Sequence, residues 1–180
     1  MFAYCNNNPI RYVDKTGMFL WPAAQEMLST WLNGDGSAQF YGEKSKLVKA
    51  LKKSTIMNEI ITSAINNCRK TGTNSFSDSV KFTSSDSMDL YLSIRRCEYT
   101  ITIKEEYRTI GFWMWKIHQK RYVATIVLSD FYNFDGIEPW DSFGRICNNG
   151  AFILHNVFAV GMDYKWTAKY TYTTVWENYL

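Results

Sequence analysis

Period-two alternation is the feature that most narrows what this chain can fold into. Tyr99, Ile101 and Ile103 alternate with Thr100, Thr102 and Lys104; near the end, Trp166, Ala168, Tyr170 and Tyr172 alternate with Thr and Lys. Met88, Leu90, Leu92 and Ile94 alternate with Asp89, Tyr91 and Ser93, and Tyr122 to Leu128 is rich in β-branched residues. Successive side chains of a strand point to opposite faces, so these patterns predict strands with one buried face. Short links between them predict antiparallel pairing. Elsewhere the period is helical. Leu47, Leu51, Ser54, Ile61, Ala64 and Ile65 form a stripe along a helix predicted over Lys46–Asn66, with Lys49, Lys52, Lys53 and Glu59 opposite. Phe143, Cys147, Ala151, Leu154 and Phe158 recur at helical spacing within Asp141–Ala159, with Gly161 as the expected stop. A shorter amphipathic helix over Pro22–Leu32 ends in the Asn33–Gly36 loop. The fold class expected is α+β: an antiparallel β-sheet with helices packed on one face.

Composition supports that reading and removes several classes. Among 180 residues there are 7 Trp, 12 Tyr and 11 Phe but only 3 Pro, which argues against disorder and suits pleated, half-buried surfaces. The length suits one domain, or one domain with an appendage. Twenty Lys and Arg against 17 Asp and Glu give a net charge of +3, and no nucleic-acid partner is expected. Five lysines between Lys44 and Lys53 lack the interleaved aromatics of a stacking platform and read as a solvated helix face. Cys5, Cys68, Cys97 and Cys147 are dispersed, and His118 and His155 are the two histidines. That spacing argues against a structural zinc site and favours free thiols. No apolar run of about 18 residues occurs, so no membrane-spanning helix is expected. The first residues lack the charged head and apolar stretch of a signal peptide.

Residues 1–18 differ in character from the rest: Asn8-Pro9 and Asp14-Lys15-Thr16-Gly17 are turn chemistry around a short extended piece. The run Tyr4-x-x-Asn7-Asn8-Pro9-x-x-Tyr12-x-Asp14-x-x-Gly17 resembles the end of the Rhs repeat-associated core, after which a variable toxin begins. Lys15 stands where that family usually has Pro. The resemblance implies that residues 1–18 close the Rhs core and that 19–180 form a toxin or effector domain. It further implies a secreted protein translocated into rival bacteria and a cognate immunity protein as partner.

The stretch after Leu128 carries the chemistry. Asp130, Tyr132 and Asp135 leave a strand end, and Asp141 and Arg145 follow near the start of a helix. Carboxylates can hold a divalent cation or act as a general base, and an arginine at a helix N-terminus can clamp a phosphate. The same residues equally suit turn, cap and ion-pair roles. The pattern Asp130-x-Tyr132-x-Phe134, ahead of an Arg, resembles the active-site segment of colicin M-like bacteriocins, which cleave a lipid-linked peptidoglycan precursor at its pyrophosphate. Asn133 and Gly144 stand where that family has an acid and a histidine. The resemblance nominates Asp130 as metal ligand or base, with Mg as the cation. It nominates Arg145 as phosphate clamp and Tyr132 as orienting hydroxyl, and the residues themselves offer Asp135 as a second carboxylate. His155, beside Leu154 and Phe158, reads first as a core or boundary residue.

A rival reading centres on Gly111-Phe112-Trp113-Met114-Trp115-Lys116-Ile117-His118-Gln119-Lys120-Arg121, an aromatic run ending in a basic cluster. It is either a core strand with its hairpin tip or, through Phe112, Trp113 and Trp115, a contact with membrane lipid, where Trp favours the interface and Lys and Arg meet anionic head groups. Two function classes follow: a hydrolase acting on an envelope precursor in the periplasm or at the membrane surface, and a non-enzymatic membrane-perturbing or pore-forming toxin. A third is an inert remnant or binding module of an Rhs locus.

Overall fold

The structure, a computed structural model, describes residues 21–112, 115–134, 148–151, 153, 155, 156 and 161–179. Three helices come first around a short strand: α1 (Pro22–Asn33), β1 (Gln39–Tyr41), α2 (Lys46–Lys53) and α3 (Thr55–Thr71). Then follow β2 (Ser75–Lys81), α4 (Met88–Ser93) and the long strands β3 (Arg96–Phe112) and β4 (Trp115–Tyr132). Residues 148–151, 153, 155 and 156 are helical, and β5 (Tyr164–Thr173) and β6 (Glu177–Asn178) finish the chain. The sheet runs β1-β5-β4-β3-β2, with β6 on the edge of β4. It is the expected α+β architecture with helices on the sheet and mostly antiparallel pairing; β1 alone among the described strands runs parallel to its neighbour, β5.

Alternation fixes which face is covered. Cys97, Ile101 and Ile103 on β3, Tyr122, Ala124, Ile126 and Leu128 on β4, and Trp166, Ala168 and Tyr170 on β5 are all buried. They meet Met27 and Trp31 of α1, Leu47 and Leu51 of α2, and Met57, Ile61 and Ile65 of α3 in one core. Tyr172, which continues the alternation of β5, is 38% exposed, so the buried face of that strand ends at Tyr170.

Two sequence expectations need correction. The helix predicted over Lys46–Asn66 is two helices, broken at Ser54. Ser54 adopts φ −68°, ψ 126°, closes α2 through its N–H to the Leu51 carbonyl, and starts α3 by accepting the Met57 N–H at 3.3 Å on Oγ. Its small polar side chain lies in the core, where only a local hydrogen bond offsets the desolvation. Ser54→Ala is expected to cost about 1 kcal/mol, lowering the thermal midpoint by about 2–4 °C in a melt followed by circular dichroism. The strand predicted over Met88–Ile94 is helix α4. Ser87 Oγ accepts the Leu90 N–H at 3.2 Å, and the buried positions Leu90, Ser93 and Ile94 follow helical spacing. Asp89, exposed in the strand reading, accepts the Ala23 and Ala24 N–H groups at 3.2 and 2.9 Å and so caps α1. Six residues give alternation too little length to separate the two periods.

Candidate functional site

Strand β4 carries both sequence candidates, one at each end. At its C-terminal end, the Asp130 carboxylate is exposed, with Oδ1 accepting the Phe131 N–H at 2.8 Å. Tyr132 is buried, its ring 5.4 Å from both Tyr164 and Phe134. The cluster continues through Trp31, fully buried, edge-on to Phe134 at 4.9 Å and 5.9 Å from the His155 ring. Trp31 Nε1 donates to Asp163 Oδ1 at 2.9 Å, and the His155 Nδ1 proton is held by the Gly161 carbonyl at 3.0 Å. His155 is therefore half-buried and hydrogen-bonded, the boundary residue the sequence suggested. Gly161 has φ +86°, and a Cβ there would lie 2.5 Å from the Trp31 indole, so both conformation and space demand glycine.

The hydroxyls of this end serve structure. Tyr41 and Tyr164 share a hydrogen bond at 2.9 Å, and Tyr164 also reaches the Met27 carbonyl at 3.0 Å. Burial pushes the Tyr164 phenol well above its ordinary range, so it stays neutral. Cys97, next to Asp130 across the strand pair, is pushed to about 12 by burial and then by that carboxylate, which makes it a packing residue and no nucleophile. Cys68 and Cys97 are free thiols, as expected. Asp135, Asp141 and Arg145 lie outside the described residues, and so do Cys5, Cys147 and Trp113. Among the described residues no three His, Cys, Asp or Glu side chains gather as metal ligands.

The N-terminal end of β4 is different. β2 pairs β3 only as far as Thr102, and β5 reaches β4 only from Val123. Beyond that, β3 and β4 run on as a two-stranded ribbon to the Phe112–Trp115 pair. Isolated ribbons are marginal in water, and the base of this one is clamped. The Trp176 ring packs against the guanidinium groups of both Arg108 and Arg121, its centre 4.2 and 4.5 Å from their carbons. Arg121 also pairs with Glu106 at 2.6 Å, β6 adds pairs to Gln119 and Lys120, and the Tyr179 N–H reaches the His118 carbonyl at 3.0 Å. Outboard of this clamp, cross-strand Thr109 Oγ1 and His118 Nδ1 are 3.0 Å apart. What projects is the last four residues of β3 and the first four of β4, about 13 Å of arm.

The projecting part is two-faced. Ile110 and Ile117 are cross-strand partners, and Trp115 lies on the same face two residues away. They are 39%, 45% and 80% exposed. Thr109, Lys116 and His118 occupy the other face. Gly111, at φ +119°, permits the tip: a Cβ there would collide with the Trp115 carbonyl. Of the predicted lipid contacts, Trp115 is thus at an exposed ribbon end and Phe112 is its strand partner. Sequence reasoning missed the arm's length, the clamp by Trp176 and the role of Ile110 and Ile117. The arm does alternate, as in Trp115-Lys116-Ile117-His118, but over only four residues of each strand and with no buried face to mark it as a strand end.

Comparison of the chain with protein-family models, with curated proteins and with solved structures found no match.

Proposed function

We propose that this chain is the effector of an Rhs-type toxin that acts at the bacterial envelope, and that it engages membrane lipid through the β3–β4 arm. The observation that carries the proposal is the exposed apolar face of Ile110, Trp115 and Ile117 on a clamped, projecting ribbon, with Lys120, Arg108 and Arg121 behind it. Apolar groups at a tip with cations one step back match the layering of a bilayer surface: acyl boundary first, anionic head groups next. Among the described residues no helix is long and apolar enough to cross a membrane. The Rhs-like opening run supports delivery to rival bacteria and a cognate immunity protein.

A second reading keeps the lipid interface and adds hydrolysis of a lipid-linked precursor, with Asp130 as metal ligand or base. What favours it is the exposed Asp130 carboxylate at the strand end that leads into Asp135 and Arg145. Inducible expression in a bacterial host, with and without a periplasmic export signal, tests the shared part: death only on export is expected. Death confined to cytoplasmic expression, or survival in both compartments, would overturn the envelope reading. Leakage of dye from protein-free vesicles then separates the two modes. Vesicles that stay intact, with killing lost in Asp130→Ala, would transfer the case to the hydrolase.

A further inference from the structure

The helices cover one face of the sheet; on the other no described helix packs, and Trp176 lies over its arm end against Arg108 and Arg121. The composition of that open face departs from that of the chain. On β3, β4 and β5 alternation turns Arg96, Lys104, Arg108, Arg121, Lys165 and Lys169 outward, against only Glu98 and Glu106. Lys81 adds to them at the β2 edge. The chain as a whole carries a net charge of +3, so this one face is more basic than the entire protein. Between the cations lie Thr100, Thr102, Thr125, Thr167 and Val127. Exposed apolar groups stand at both ends: Phe40 and Phe131, 66% and 51% exposed, at one; Ile110, Trp115 and Ile117 at the other.

The apolar face of the arm and the basic face of the sheet are the same face. Ile110 and Ile117 share the parity of Lys104 and Arg121 along β3 and β4. We infer that the open sheet face is a docking platform for an anionic lipid surface, on which the protein lies flat with the arm and the Phe40–Phe131 pair seated at the two ends. This rests on the arm reading above and extends it from a point contact to an oriented one. Charge complementarity selects the partner: several outward cations, few opposing carboxylates and a short-chain hydroxyl lawn suit rows of phosphate head groups. A nucleic-acid platform would place aromatics mid-sheet for base stacking, whereas here the centre is Thr and Val and the exposed apolar side chains include isoleucines.

The test is co-sedimentation of the full-length chain with vesicles of phosphatidylglycerol in phosphatidylcholine and with vesicles of phosphatidylcholine alone. The variant is Lys104→Gln/Lys165→Gln/Lys169→Gln, three exposed lysines outside the clamp and the core. The parent is expected to prefer the anionic vesicles, and that preference should fade at about 1 M salt. The variant should lose about a hundredfold in affinity for anionic vesicles and keep the parent's weak binding to neutral ones, which the arm alone supplies. An unchanged thermal melt accompanies this. Equal binding of parent and variant to anionic vesicles would overturn the platform and leave the arm reading standing. A parent that ignores both vesicle types would overturn both. Lysine-dependent binding to a single-stranded oligonucleotide, without vesicle binding, would overturn the platform in favour of nucleic acid.

Discussion

Replacing Ile110, Trp115 and Ile117 together by serine is expected to abolish dye leakage from anionic vesicles while leaving the fold in place. The three side chains are exposed and outboard of the Trp176 clamp, so their loss removes little buried area and should change stability by no more than about 1 kcal/mol in total. At a bilayer they would be buried instead. Seating three large apolar side chains that water now partly covers contributes roughly 4 kcal/mol, close to a thousandfold in partitioning. The measurement is leakage and co-sedimentation of parent and variant at matched concentration, with a thermal melt of each. Leakage at the parental level from a variant that melts normally would sink the arm as the membrane-engaging element. Gly111 offers an independent check on geometry, since its φ of +119° keeps the tip from tolerating a β-branched residue.

The face-defining strands were legible because each buries one side. Ile101, Ile103, Ile126, Leu128 and Trp166 are buried in the core shared with the helices, and their outward neighbours are Thr, Ser, Lys or Val, so period two survives in the sequence. Legibility failed where that asymmetry ends. The same strands, β3 and β4, run on into the arm, where Ile110, Trp115 and Ile117 keep the period but no helix covers them, so the pattern there marks no core. β2 was hidden for a related reason: Asp78 holds the inward position between Phe76 and Val80, a charge on the edge strand that breaks the pattern and discourages further pairing. β1 has three residues and pairs in parallel through a long-range register that no local signal encodes. At α4, tertiary context decided: Asp89 is drawn to the N-terminus of α1, which the sequence had not brought near it.

The candidate site was legible as residue types and not as geometry. Asp130 and Tyr132 share one face at the end of β4, but Asp130 is exposed whereas the Tyr132 ring packs into the cluster of Tyr164 and Phe134. The sequence marks a Tyr as a hydroxyl; only packing reveals that its ring is part of the core. The aromatic run at Phe112–Trp115 was visible, whereas the Arg108–Trp176–Arg121 stack that supports it joins positions far apart in the chain.

Trp31→Ala is expected to produce the largest loss of stability. The indole is fully buried where α1, Phe134, His155 and Gly161 meet, its Nε1 is bonded to Asp163, and its carbonyl accepts the Met162 N–H at 2.8 Å. Gly161 already approaches the ring as closely as any residue can, so the neighbours have little room to collapse into the vacancy. The expected cost is about 3–5 kcal/mol, a fall of about 10 °C or more in the melting midpoint. Trp31→Phe keeps most of the volume and loses chiefly the bond to Asp163, for about 1–2 kcal/mol. A melt of Trp31→Ala within 2–3 °C of the parent would show that the seam does not support the fold. The pair also separates the two functional readings. Trp115 and Phe131 mark opposite ends of one strand, about 50 Å apart, so changes at the Trp31 seam and at the arm should act independently. Trp31→Phe, stable enough to assay, disturbs the Asp130–Phe134 end alone. An envelope hydrolase should lose killing in that variant, and an arm-driven membrane toxin should keep both its killing and its vesicle leakage.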